Sequence, residues 1–314
     1  MASPRKTVRT NRRKRNSYRV PLIGMALVVI AVIAAVVFLD RTHRRQPAVQ
    51  QAPPPAVERH KLPPRGPDRP VVHEDYTGVI HHPAEPQRTQ RPTGPGTLAV
   101  VIDDMGKGLP EARALMDIGI PLTFAIIPGL PKVRRVAEEA RQRGIEVMVH
   151  LPMEPKGYPE RRLEANGLLL SLGDDEIVGR VNGYLNEIPQ AVGANNHMGS
   201  EFTENRQKMA VVMGVLKERG LFFVDSKTSP VSVGDAVARE MGVRTAVRNV
   251  FLDNIQEPGY IAKQLRQAAS IARKRGSAIA ICHPHPATIQ TLAAELPRLR
   301  DEGITFVSVS RLVR

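Results

Sequence analysis

The stretch Leu98-Ala-Val-Val-Ile-Asp103-Asp104 sets two adjacent carboxylates directly after an unbroken apolar run. Five β-favouring residues with no polar alternation suit a strand covered on both faces, as in a parallel sheet between helices. Two further stretches repeat the arrangement: Val147-Met-Val-His150-Leu-Pro-Met-Glu154 and Ile279-Ala-Ile-Cys-His283-Pro-His285. Each puts polar groups at a strand end. In a parallel α/β protein the carboxyl ends of all strands point to one face, so these groups converge on a single mouth.

Working outward, strands are expected at Leu98–Ile102, Leu122–Ile127, Ile145–Val149, Leu221–Val224, Ala278–Ile281 and Ile304–Val307, with weaker ones at Ala191–Asn195 and Val247–Leu252. Helical segments fall between them near 109–117, 132–143, 175–186, 204–219, 234–241, 260–275 and 288–301, several ending in a glycine such as Gly144, Gly220, Gly276 or Gly303. Seven or eight βα units over residues 97–314 predict an α/β fold, a distorted (β/α)7-8 barrel. Asp103-Asp104-Met-Gly106-Lys-Gly108 lacks the spacing of a dinucleotide or P-loop motif.

Composition changes sharply near residue 96. Residues 1–96 hold 17 Lys+Arg against 6 Asp+Glu, which accounts for most of the net charge of +14; residues 97–314 hold 28 against 25 and are nearly neutral. A basic excess confined to a tail is not the charged folded face that binds nucleic acid, so no nucleic-acid partner is expected. Residues 20–39 carry no charge and match the ~20 residues of a membrane-spanning helix. Eight Lys or Arg precede them and three follow closely, which predicts a cytoplasmic tail at 1–19, a single-pass anchor at 20–39 in the cytoplasmic (inner) membrane, and an exported remainder. A cleaved signal peptide is the competing reading. Residues 41–96 contain 12 of the 27 prolines and few apolar groups, and read as a disordered spacer. Cys282 is the only cysteine, which excludes an internal disulfide and suits a small core residue.

The candidate chemistry lies at the strand ends. Two buried neighbouring carboxylates, Asp103 and Asp104, need a cation, a proton or strong donors to stabilise them. His150 with Glu154, and His197 in Asn195-Asn196-His197-Met-Gly-Ser200, add imidazole and carboxylate donors suited to a divalent ion such as zinc. Asp225-Ser226-Lys227 and Asp253-Asn254 each follow an apolar run and alone read as turns or caps. Asn196, Asp225 and Lys227 are candidates for substrate binding at the same mouth. His283 and His285, held by Pro284 and Pro286, suit proton donation near neutral pH. Paired-carboxylate glycosidase chemistry would leave the histidines unexplained, and no Gly-x-Ser-x-Gly elbow supports a serine nucleophile.

Taken together, Val-Ile-Asp103-Asp104-Met-Gly, Val-His150-Leu-Pro-Met-Glu154-Pro, Asn195-Asn196-His197-Met-Gly-Ser200, Phe-Val-Asp225-Ser and His283-Pro-His285-Pro resemble the divergent polysaccharide deacetylase family, a branch similar to the NodB-homology deacetylases. The resemblance implies a distorted (β/α)7 barrel and metal-dependent removal of acetyl groups from a cell-envelope glycan. It implies Asp103 as general base, Asp104 and His150 as metal ligands, and His283 as acid. Typical deacetylases carry a second histidine where this chain has Glu154, so Glu154 or His197 supplies the third ligand. A rival reading keeps the barrel as a catalytically silent module that grips envelope glycan or an envelope protein partner. Fractionation of cells making the full chain is expected to recover it in the membrane at full size; a shortened, freely released product would select the cleaved leader instead.

Overall fold

In the computed structural model the described residues are 95–314. The basic tail, the expected anchor at 20–39 and all but the last two residues of the 41–96 spacer lie outside them. Among the described residues no helix is long and apolar enough to cross a membrane.

Among the described residues nine strands and seven helices follow one another: β1 (Thr97–Met105), α1 (Leu109–Met116), β2 (Thr123–Ile126), α2 (Val133–Gln142), β3 (Glu146–Met153), α3 (Asp174–Glu187), β4 (Gly193–Met198), α4 (Arg206–Glu218), β5 (Phe222–Asp225), α5 (Gly234–Glu240), β6 (Thr245–Val247), β7 (Val250–Phe251), α6 (Pro258–Arg275), β8 (Ser277–Cys282), α7 (Pro286–Asp301) and β9 (Thr305–Phe306). Helix ends follow local chemistry. The Asn205 side chain accepts from Lys208 N–H to start α4, and α6 opens on Pro258 and stops at Gly276, whose φ of 87° suits only glycine.

The sheet is parallel throughout, in the order β6-β5-β4-β3-β2-β1-β8-β7, with β9 against the start of β1. Its two edges, β6 and β7, are two residues apart in sequence, so the sheet must curl until they nearly meet. Arg248 N–H donates to Asp225 O on the β5 side at 3.1 Å, and Asn249 N–H donates to Ile279 O on the β8 side at 2.9 Å. The expected strand at 247–252 is therefore a seam: it splits where the chain steps from one edge to the other. The ladder is a curled sheet tied at that seam rather than seven or eight equivalent βα units, because no helix separates β6 from β7.

Alternation along each strand divides the core in two. Leu98, Val100 and Ile102 of β1, Val147, Val149 and Leu151 of β3, and Phe223 of β5 pack under the helices. Ala99, Val101, Met148, Phe222, Val224, Ile279 and Ile281 fill the inside of the curl. Val309 and Val313, near the end of the chain, cap that inner column, while Val309 N–H donates to Thr123 Oγ1 and Ser310 N–H to Glu146 Oε1. Thr123 and Glu146 start their strands, so this seal closes the amino-terminal end of the curl and leaves the carboxyl end as the mouth.

β3 differs from expectation in running on through Pro152 to Met153. Proline lacks only its own donor, and its carbonyl still accepts from Leu168 N–H at 2.7 Å. Phe124, fully buried beneath the helices, tests the helix-side core. Phe124→Ala is expected to lower unfolding stability by about 3–5 kcal/mol, read as a lower denaturant midpoint at unchanged slope.

Candidate metal centre and active site

The inward parity of the strands builds the site. Continuing the inner column toward the mouth, β1 presents Asp103, β3 His150, β4 Asn195 and His197, and the residues just past β5 and β8 are Ser226 and His283. Asp104, next to Asp103, should face the opposite way. It does not, because its backbone is left-handed (φ 56°) and the β1–β2 register shifts between Ile102 and Met105. This irregularity turns the second carboxylate to the mouth as well.

Three donor atoms then meet. Asp104 Oδ1 lies 3.3 Å from His150 Nε2 and 2.9 Å from His197 Nδ1, and the two nitrogens are 3.2 Å apart. Bonds of about 2.0–2.1 Å to one ion set neighbouring ligand atoms roughly 2.8–3.4 Å apart, from octahedral to tetrahedral geometry. Asp104 Oδ1 is buried without an aligned hydrogen-bond donor. Such an oxygen beside two facing ring nitrogens is costly in a bare protein and natural around a cation. The residues fit a divalent ion.

Hydrogen bonds behind the triad orient it. His150 Nδ1 is 2.7 Å from Asn195 Oδ1, whose Nδ2 donates to Asp103 Oδ1 at 2.8 Å and to Ser226 Oγ at 3.2 Å. With Nδ1–H donating to Asn195, His150 keeps a lone pair on Nε2, aimed at the cluster. Burial would push the Asp104 carboxyl up, but the His150 and His197 imidazoles outweigh it and hold the group well below the ordinary carboxylate range. Asp103 goes the other way. Burial raises its carboxyl, against the opposing effects of His150, His283 and the Asn195 hydrogen bond. His150 is buried too, which disfavours its cation, yet Asp103 and Asp104 together raise it.

His283 stands on the other wall. Its Nδ1 is 3.0 Å from Asp253 Oδ1, and Asp253 Oδ2 accepts from His283 N–H at 2.7 Å and Thr288 Oγ1 at 2.9 Å. Burial lowers the His283 pKa, but the hydrogen bond and charge of Asp253, helped by Asp103 and Asp104, carry it up to about 9. The ring stacks at 5.9 Å on Phe251, over which the buried Arg248 guanidinium sits at 4.0 Å. A cleft of about 290 Å3 lies between, lined by Asp103, Asp104, His150, Arg161, His197 and His283 among others, a size at the low end for small-ligand sites.

The remaining expected residues divide. Glu154 is not with the triad: its Oε2 accepts from Leu170 N–H at 2.6 Å, so His197 is the side chain beside Asp104 and His150. Asp225 and Lys227 do not reach the cleft. Asp225 has outward parity, is fully buried, and accepts from Lys227 N–H, Ser232 Oγ and Asp235 N–H; Lys227 Nζ donates to Ser232 O. They organise the loop into α5. Asn196 touches the cleft but spends its amide on Ser226 N–H, Met198 O and Thr228 Oγ1. His285 lines a smaller adjoining cleft of about 150 Å3 with Asp104, Lys107 and Glu111. Its cluster with Asp253 and His283 offers no free carboxylate oxygen, since both of Asp253 are engaged. Cys282 is buried, faces the helices, and its thiol is pushed up by burial, so it is inert.

Asn195 and Ser226 were within reach of a parity argument, and Asp253 ends an apolar run. Glu164, whose Oε2 is 3.5 Å from His197 Nε2, had no signal, because it lies in an irregular loop.

A curled parallel sheet carrying one aspartate and two histidines at its strand ends defines the class. Residues 100–313 match the family model for divergent polysaccharide deacetylases, and the chain belongs to that family. It is 41% identical over 217 residues to an uncharacterised protein of Haemophilus influenzae, covering 69% of this chain and 76% of that one. It is 38% identical over 218 residues to the uncharacterised protein YibQ of Escherichia coli K12, covering 69% and 67%. A crystal structure of an uncharacterised protein from Agrobacterium tumefaciens C58 superposes with a TM-score of 0.66 at 23% identity, covering 70% of this chain and 90% of that one, a likeness of fold.

His283 is elevated in the folded state, so the stability it contributes is full below about 6.5 and is lost as pH rises through about 9. Asp253→Asn is expected to move the His283 titration, followed by NMR of the ring, back toward ordinary histidine values.

Proposed function

We propose that residues 97–314 form a metal-dependent deacetylase acting on an acetylated cell-envelope polysaccharide. The observation that carries the reading is the Asp104–His150–His197 triangle, one corner of which is an orphaned carboxylate oxygen, with Asp103 and His283 beside it. Asp104, His150 and His197 would hold the ion, which would lower the pKa of a water toward ~7 and polarise a carbonyl. Zinc suits this donor set.

The chain's own groups divide the proton work. Asp103, whose Oδ2 is 3.5 Å from His150 Nε2, is the buried carboxylate with a raised proton affinity, and it accepts the proton of the attacking water. His283, cationic up to about 9 and anchored by Asp253, donates to the departing amine or alkoxide. One carboxyl is tuned to take a proton and one imidazole to give it. Glycan as substrate is supported by the family match and by an open cleft able to seat one acetylated unit of a longer chain. The uncharged segment at 20–39 and the proline-rich stretch after it support an anchored domain held out from the membrane on its exported side.

The test is metal content and acetate release from acetylated envelope glycans. Wild type is expected to carry about one divalent ion per chain and to release acetate, whereas Asp104→Asn loses both, turnover by more than ~10²-fold. Bound metal without release from any acetylated glycan would leave a binding module on the same fold. Unchanged metal in Asp104→Asn would refute the site.

A further inference from the structure

His197 is the unusual member of the triad. It comes from the end of β4, not from the run that carries His150, and it is partly exposed, with no strand neighbour bonded to its outer nitrogen. A ligating imidazole works only as the correct tautomer: the nitrogen toward the ion must keep its lone pair, so the other must carry the proton and donate it. His150 meets this through Asn195. For His197 the group facing Nε2 is Glu164, whose Oε2 lies 3.5 Å away, buried and without any hydrogen-bond donor. An acceptor with no donor thus faces a ring nitrogen with no acceptor, and a small side-chain adjustment closes the gap to hydrogen-bonding distance.

Glu164 does not drift on a free loop. The segment between β3 and α3 is fastened around it: Leu168 N–H donates to Pro152 O, Glu154 N–H to Leu168 O and Gly167 N–H to Glu164 O. Asn166 Nδ2 donates to Pro128 O, Tyr184 Oη to Asn166 O and Arg180 to Gly167 O. These bonds hold the backbone from position 164 to 168 and none uses the Glu164 carboxylate. The buried oxygen of that carboxylate faces the His197 ring.

We propose that Glu164 is the positioning carboxylate of His197: it accepts Nε2–H, sets the tautomer that presents Nδ1 to the ion, and so makes the β3–α3 loop part of the metal centre. This rests on the metal reading above. The carboxylate adds negative charge behind the imidazole, which strengthens it as a donor.

The test uses the metal alone. Zn2+ affinity is measured by chelator competition, and the Co2+-substituted protein is followed by its visible absorption, on wild type, Glu164→Ala, Glu164→Gln and Asp104→Ala. Glu164→Ala is expected to weaken affinity ~10–100-fold and shift the Co2+ bands, with thermal unfolding of the metal-free protein close to wild type. Glu164→Gln, whose carbonyl still accepts Nε2–H, is expected within a few-fold of wild type. Wild-type affinity and bands in Glu164→Ala, while Asp104→Ala loses the ion, would overturn the proposal and leave the metal site standing. A Glu164→Gln protein as impaired as Glu164→Ala would overturn it too. Metal retained in Asp104→Ala would refute the underlying reading instead.

Discussion

A two-residue period, repeated on five parallel strands that curl around one column, is the constraint on which the site depends. Side chains of one parity fill the inside with Ala99, Val101, Met148, Phe222, Val224, Ile279 and Ile281. One step beyond that apolar filling the same parity delivers Asp103, His150, Asn195, Ser226 and His283 to the mouth. Polar groups are affordable there because the column below them is already sealed from the other end by Val309 and Val313. Shifting any of these strands by one residue would exchange its polar group for one that points into the helix layer.

Electrostatics at the mouth follows from that crowding. Two carboxylates and two imidazoles taken from water are unfavourable individually. The arrangement separates them into roles: Asp104 is driven to its ionised form between two imidazoles, while Asp103, deeper, gains proton affinity from burial. Asp253 performs the matching task for His283, keeping it protonated near neutrality. An orphaned carboxylate oxygen within 3.3 Å of two ring nitrogens is the residual imbalance, and a cation corrects it.

Much of this was legible beforehand. Uninterrupted apolar runs located β1, β3, β5 and β8, glycine stops bounded the helices, and polar residues after those runs named Asp103, Asp104, His150 and His283, with His197 drawn from the Asn195-Asn196-His197 cluster after a weaker run. Legibility failed where period or partners mattered. Asp225 follows a strand as convincingly as His283 does, but its parity is outward, and with Lys227 it ties the loop before α5. Glu154 has the right spacing from His150, yet backbone bonding of the following loop claims its carboxylate. The seam at Arg248–Asn249 escaped because the six-residue stretch Val247–Leu252 does not show that its two ends pair with different strands.

The sequence by itself determined which segments are strands and helices, that the strands are parallel and doubly covered, and which strand ends carry acid and imidazole groups, because these depend on local periodicity. Only the tertiary structure decided that His197 rather than Glu154 completes the triad, that Asp104 turns inward through a left-handed backbone, and that Asp253 and Glu164 stand behind the two outer histidines. The histidine outcomes depend on contacts between residues 30 to 47 positions apart along the chain, where curl and register, not spacing, set the distance.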